Sequence, residues 1–113
     1  TVEGPMKLLF IAGQTASDKN YQCVAPGDLR AQYLKVMENL DVQLKAAGAS
    51  WDDVVYRRSF VLDVDEYLKI TGDPKTRKFW NPDQLPGSTL IGVTRLSNPE
   101  FLIEIDLLAI VKP

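Results

Sequence analysis

The sequence contains no histidine and a single cysteine among its 113 residues. Without histidine the usual ligand sets for zinc and iron cannot be assembled, and only a hard, oxygen-ligated cation would suit the remaining donors. The lone Cys23 has no partner for an internal disulfide and no imidazole to activate it, which argues against a nucleophilic role. No apolar run reaches the ~18 residues that a membrane span needs, and the first residues lack a charged segment followed by an apolar signal core. A cytoplasmic protein with no membrane contact is expected. An excess of charge is missing as well: the formal net charge is −2, and Lys and Arg are scattered. No basic stripe answers a phosphate backbone, so nucleic acid is not an expected partner.

What is present suits an ordinary folded domain. Apolar residues make up 45% of the chain and charged ones 25%, enough to bury a core without disulfide or metal. Length predicts one domain over residues 1–113.

MKLLFIAGQ, residues 6–14, is an apolar run of strand length that ends at a Gly, and predicts a buried strand. Residues 15–28, rich in turn formers and ending in Pro26-Gly27-Asp28, read as a loop. Asp28 is a candidate N-cap for a helix to Ala47, in which Leu29, Tyr33, Val36, Leu40 and Leu44 recur at helical spacing and Gly48 follows as the stop. Ser50 and Asp53 are spaced for a capping-box-like turn.

VVYRRSFVL, residues 54–62, is β-branched and aromatic; strict alternation puts Val54, Tyr56, Phe60 and Leu62 on one face and Val55, Arg57, Ser59 and Val61 on the other. A second helical segment follows Asp63–Asp65 and is interrupted by Gly72 and Pro74, giving two pieces or one broken helix. Residues 81–88 form a Pro- and Gly-bearing loop before a strand, TLIGVTRL, and a last strand, FLIEIDLLAIV. Strand, helix, strand, helix, strand, strand predicts an α+β layer, helices on one sheet face.

Few residues offer chemistry. Glu104 and Asp106 share a face of the last strand with Leu102, Leu108 and Ile110, opposite Phe101, Ile103, Ile105 and Leu107. A carboxylate between large apolar neighbours is either half-solvated at an edge or held in a pocket with a shifted pKa, and only the second is catalytic. Adjacent Arg57 and Arg58 must point to opposite faces; either can clamp a carboxylate through its planar fork or form a structural ion pair. Phe79 and Trp80 can wall a flat ligand or belong to the core.

Taken together, LLFIAGQ, LKAAGASWDDVVYRRSFVLDVDEY, LPGSTLIGVTRL and LIEIDLLAIV resemble, in this order and spacing, the Rid (YjgF) family across nearly the whole chain. The resemblance implies a chorismate-mutase-like fold, a mixed sheet with two helices on one face, assembled as a trimeric barrel. It implies a homotrimer with a small molecule bound in each intersubunit cleft, and hydrolysis of reactive enamines and imines to a 2-oxo acid and ammonia with no metal and no cofactor. Glu104 would hold and help deprotonate the attacking water, and the backbone at Gly13 and Gln14 would line the cleft. Where the archetypal deaminases carry an arginine that grips the substrate carboxylate, this chain has Ser88, followed by Thr89. That replacement implies a different substrate, such as a larger aminomuconate-type intermediate, with Arg57, Arg58 or Arg95 taking over the anchor. The alternative is a non-catalytic trimer that binds a metabolite or regulates a partner.

Overall fold

The computed structural model describes all of residues 1–113. Four strands form one mixed sheet: β1 (Lys7–Gln14), β2 (Val54–Val61), β3 (Gly87–Gly92) and β4 (Ile103–Val111), in the order β1-β4-β2-β3. β4 runs antiparallel to both neighbours, whereas β2 and β3 are parallel. A parallel pair needs a crossover, and α2 (Val64–Thr71) with a short 3-10 turn at Pro74–Thr76 supplies it. The longer α1 (Leu29–Ala46) joins β1 to β2 and lies against β1 and β4. The α+β architecture with both helices on one sheet face is as the sequence predicts. No helix is long and apolar enough to cross a membrane.

α1 follows its sequence closely. The Asp28 side chain accepts a hydrogen bond from the Ala31 N–H, satisfying one of the orphan donors of the first turn. Tyr33, Val36, Met37, Leu40 and Leu44 are buried against the sheet, and each large apolar side chain contributes roughly 1.5–3 kcal/mol by leaving water. The helix ends where Gly48 takes a φ of +76°, a conformation costly for any residue with a Cβ. Beyond it the Ser50 N–H donates to the Asp53 carboxylate at 2.8 Å, opening the short turn Trp51–Asp53 ahead of β2.

One polar residue lies on the apolar stripe. Gln32 is fully buried; its amide nitrogen donates to the carbonyls of Ala25 and Glu100, and its oxygen accepts from the Leu102 N–H. It fastens the loop before α1 to the entry of β4.

The sheet departs from the sequence reading in three places. The pairing of β2 with β4 slips between Val54 and Tyr56, so Val54 joins Arg57, Ser59 and Val61 toward the helices rather than Tyr56 and Phe60. A bulge of this kind adds one residue and reverses the alternation beyond it. β3 begins at Gly87 and ends at Gly92, earlier than expected, because Gly87 and Ser88 already pair with Tyr56 and Arg57. β1 is not buried on both sides: it is an edge strand whose Leu8 and Phe10 are 51% and 77% exposed on the open sheet face.

That face carries Leu8, Phe10, Tyr56 and Phe60 beside Leu108 and Ile110, an apolar surface on the side away from both helices. The opposite face of β4, through Phe101, Ile103, Ile105, Leu107 and Ala109, is buried.

Candidate functional site

Glu104 stands on the open face of the central strand β4. Across β2 its backbone partner is Phe60, and one pleat along the strand lies Asp106. On the β1 side the register is broken between Ile11 and Gln14, and Gly13 falls in that break. A Cβ at Gly13 would lie 2.5 Å from Glu104 Oε2, so the carboxylate occupies the space that any other residue would fill. A larger residue here would have to displace the carboxylate.

The two carboxylates have different surroundings. Asp106 is gripped by Arg58, whose Nε donates to Oδ1 at 3.0 Å and whose terminal nitrogen donates to Oδ2 at 2.5 Å. Glu104 has no hydrogen-bond or ion-pair partner. Burial, and secondarily the negative charge of Asp106, push its carboxyl above the ordinary value. A half-buried carboxylate with free lone pairs and a raised pKa can take a proton from water and return it to a nearby nitrogen.

A second cluster sits at the far edge of the sheet, toward the helices. Arg57 and Ser88 are register partners across β2 and β3, and both face the helix layer. The Arg57 guanidinium lies 4.8 Å from the centre of the Trp80 ring. Trp80 and Phe79 pack on Trp51 with ring centres 4.8 and 5.5 Å apart.

The structure therefore divides the residues singled out in the sequence. Gly13 and Glu104 are in contact. Ser88, Arg57 and Trp80 gather on the opposite sheet face, so within one chain the Pro-Gly-Ser-Thr turn does not meet Glu104. Thr89 is on the Glu104 face, hydrogen-bonded to the Tyr56 hydroxyl, but β2 intervenes and two strand spacings amount to roughly 10 Å. The Gln14 side chain turns from Glu104 toward a groove it shares with Asn39 and Gln43 of α1. Phe79 lines no cavity and packs against the core. Arg95 is exposed and bonds only to the neighbouring Leu96 carbonyl. Burial, with Glu100 second, pushes the Cys23 thiol up, the reverse of an activated nucleophile.

Sequence reasoning missed the Arg58–Asp106 pair, together with Tyr33 and Arg77 beside Arg57. The signal for the pair was faint: alternation puts Arg58 and Asp106 each on a face, and only strand register brings them opposite one another.

The sequence family described as Endoribonuclease L-PSP matches residues 2–111. This chain belongs to that family, the Rid (RutC/YjgF) family. Among Rid relatives, a RutC family protein of Pyrococcus horikoshii is 31% identical over 101 residues, covering 89% of this chain and 77% of the relative. The RutC family protein YjgH of Escherichia coli is 31% identical over 98 residues, 87% of this chain and 72% of its own. Among solved structures, the Rid family protein YyfB from Yersinia pestis superposes with a TM-score of 0.81 at 35% identity, covering 91% of this chain and 77% of that one. The superposition on YyfB shows that this chain has the Rid fold.

Proposed function

We propose that this Rid protein is a hydrolytic deaminase of reactive enamines and imines, acting in the cytoplasm as a homotrimer with Glu104 as the general base. The observation that carries the reading is Glu104 itself: a half-buried, unpartnered carboxylate with a raised pKa, beside an Asp106 whose own lone pairs are taken up by Arg58. An imine carbon is electrophilic, so the protein need only exclude bulk water, orient the substrate and position one water. Glu104 takes a proton as the water oxygen bonds to the imine carbon. That proton passes to nitrogen to give a carbinolamine; the carboxylate then takes the proton of the new hydroxyl and delivers it to the amine as the C–N bond breaks, so that a carbonyl compound and ammonia leave. Bare backbone at Gly13 lets the carboxylate lie in its observed position against β1.

The open sheet face supports assembly. Leu8, Phe10 and Tyr56 are exposed there around Leu108 and Ile110, and an apolar patch of this kind is covered in most proteins by a partner surface. Three copies packed through these faces would turn Glu104 from an open surface into a cleft. Ser88 offers a hydroxyl and not a cationic fork, which weakens the grip on a small 2-imino acid and favours a larger conjugated substrate of the aminomuconate type.

The endoribonuclease of the family description finds less support, because the chain has no histidine and no basic stripe. A trimer that only binds a metabolite is the second reading, favoured by the serine at position 88. Ammonia release from imines generated in situ separates the two: turnover that disappears in Glu104→Ala establishes the deaminase, and no release from folded wild-type protein leaves the binding role.

A further inference from the structure

Asn39 is a half-buried polar residue in the middle of α1. Its amide nitrogen has two hydrogens and both are used: Nδ2 donates to the Thr15 carbonyl and to the Ser17 carbonyl, each at 3.0 Å. Ala16, between the two, is fully buried in the core, and its carbonyl accepts from the Val24 N–H at 2.7 Å. The segment that follows β1 is therefore fastened to α1.

β1 reaches this clamp through an irregularity. Against β4, Ile11 pairs with Leu107 and Gln14 with Ile105, so three steps along β1 oppose two along β4 and one residue is extra. Bulges of this kind bend the strand and often lie beside functional side chains, which they re-aim. Ala12 and Gly13 occupy the bulge, and Gln14 closes over it by donating Nε2 to the Ala12 carbonyl at 3.0 Å.

Gly13 is the part of the bulge that stands against Glu104 Oε2. The extra residue of a bulge has no ladder hydrogen bond of its own, so its place is set by what holds the strand on each side. On one side that is the Ile11–Leu107 pairing. On the other it is the Gln14–Ile105 pairing, with the Asn39 clamp directly behind it. α1 is a firm point of attachment, because Val36, Met37 and Leu40, in the same turns as Asn39, are fully buried.

We propose that Asn39 is a positioning residue of the Glu104 site: by tying Thr15 and Ser17 to α1 it holds the β1 bulge, and Gly13 within it, against the carboxylate. It acts from the helix layer, on the other side of the sheet from Glu104. The kinetic part of the test rests on the deaminase reading proposed above, and the positional part does not.

The test is Asn39→Ala in the intact protein, with Asn39→Leu, closer to asparagine in volume, as the second variant where the first does not fold. Gln32→Leu is the control, because it breaks a buried amide network that fastens a different segment. The first readout is the titration of the Glu104 carboxyl carbon by NMR. The charged groups that face Glu104, Asp106 on its own strand and Arg58 on β2, are the same in every variant, so a change reports burial. The Glu104 midpoint is expected to fall toward the ordinary carboxyl value in the Asn39 variant and to stay in place in Gln32→Leu. The second readout is ammonia release, in which kcat falls on the order of tenfold or more while KM stays within about twofold. A wild type that releases no ammonia removes the deaminase reading and leaves the titration to decide. An unmoved Glu104 midpoint in the Asn39 variant, an equal shift in Gln32→Leu, or a loss of turnover confined to KM would overturn the positioning role.

Discussion

Gly13 and Glu104 touch across the β1–β4 pair: the Oε2 atom of the glutamate lies 2.5 Å from where a methyl group on residue 13 would be. The glycine is exposed and its φ is not in the left-handed region, so its role is to leave room. Gly13→Ala is expected to fold and to keep its melting temperature within a few degrees while pushing the carboxylate aside. Misplacement of a catalytic group by about 1 Å costs on the order of 10²-fold in rate. Ammonia release and thermal melting on the same preparation check this; an active Gly13→Ala would show that Glu104 does not hold the water.

The acid limb of the pH–rate profile follows from the Glu104 environment. The base form is the active one, so rate falls as pH drops through a pKa that burial and Asp106 hold above the ordinary carboxyl value. Asp106→Asn removes the second cause and frees the positive charge of Arg58, so the limb should move to lower pH. A limb that stays in place in this variant would place the titrating group elsewhere.

The same shift has a sign for stability. The folded state holds the Glu104 proton more tightly than the unfolded one, so stability is greatest below the unfolded pKa and declines as pH rises through the folded pKa. Above that window the charged side chain weakens the fold. Glu104→Gln should therefore melt higher than wild type at neutral pH, with the difference disappearing in acid; equal melting curves at both pH values would contradict the shifted ionisation.

Gln32 is a structural counterpart. Its amide satisfies the Ala25 and Glu100 carbonyls and the Leu102 N–H in a site with no water access. Gln32→Leu keeps the volume and removes all three, each stranded group costing roughly 1–3 kcal/mol. Denaturant titration should show a loss of at least about 2 kcal/mol, with no change in the pH dependence of activity. A loss below half of that would mean the segments 23–25 and 100–102 are held by other contacts.

Assembly can be tested at Phe10, which is 77% exposed on the edge strand of the open face. Phe10→Asp should leave helix content unchanged, shift the sedimentation coefficient from trimer to monomer, and abolish ammonia release. A wild-type protein that already sediments as a monomer would refute the shared-cleft arrangement.

Local pattern carried much of this architecture. Helical spacing from Leu29 to Leu44, the Asp28 cap and the Gly48 stop locate α1 within a residue. Alternation along β4 correctly sets Glu104 and Asp106 apart from Ile103, Ile105 and Leu107. What local pattern cannot carry is register. The slip at Val54–Tyr56 is decided by β4, some fifty residues further along the chain, and it sends Val54 into the core. Ser88 reads as loop because its partner Arg57 belongs to a different segment. Their shared face, opposite Glu104, follows from a parallel pairing that no short window contains. Gln32 escapes for a related reason: a polar residue on an apolar stripe looks like an irregularity until its distant acceptors are known.

β4 is the last strand in chain order and yet stands between β1 and β2. Every antiparallel contact in the sheet depends on Ile103–Val111, and before that segment is available only β2 and β3 can pair. On a translating ribosome, β1 and α1 must wait with their apolar sides uncovered until the final stretch emerges, a delay that favours chaperone capture and penalises slow synthesis. The strand that bears Glu104 is thus also the one that closes the fold, so a chain interrupted before it has neither a carboxylate nor a sheet to hold one.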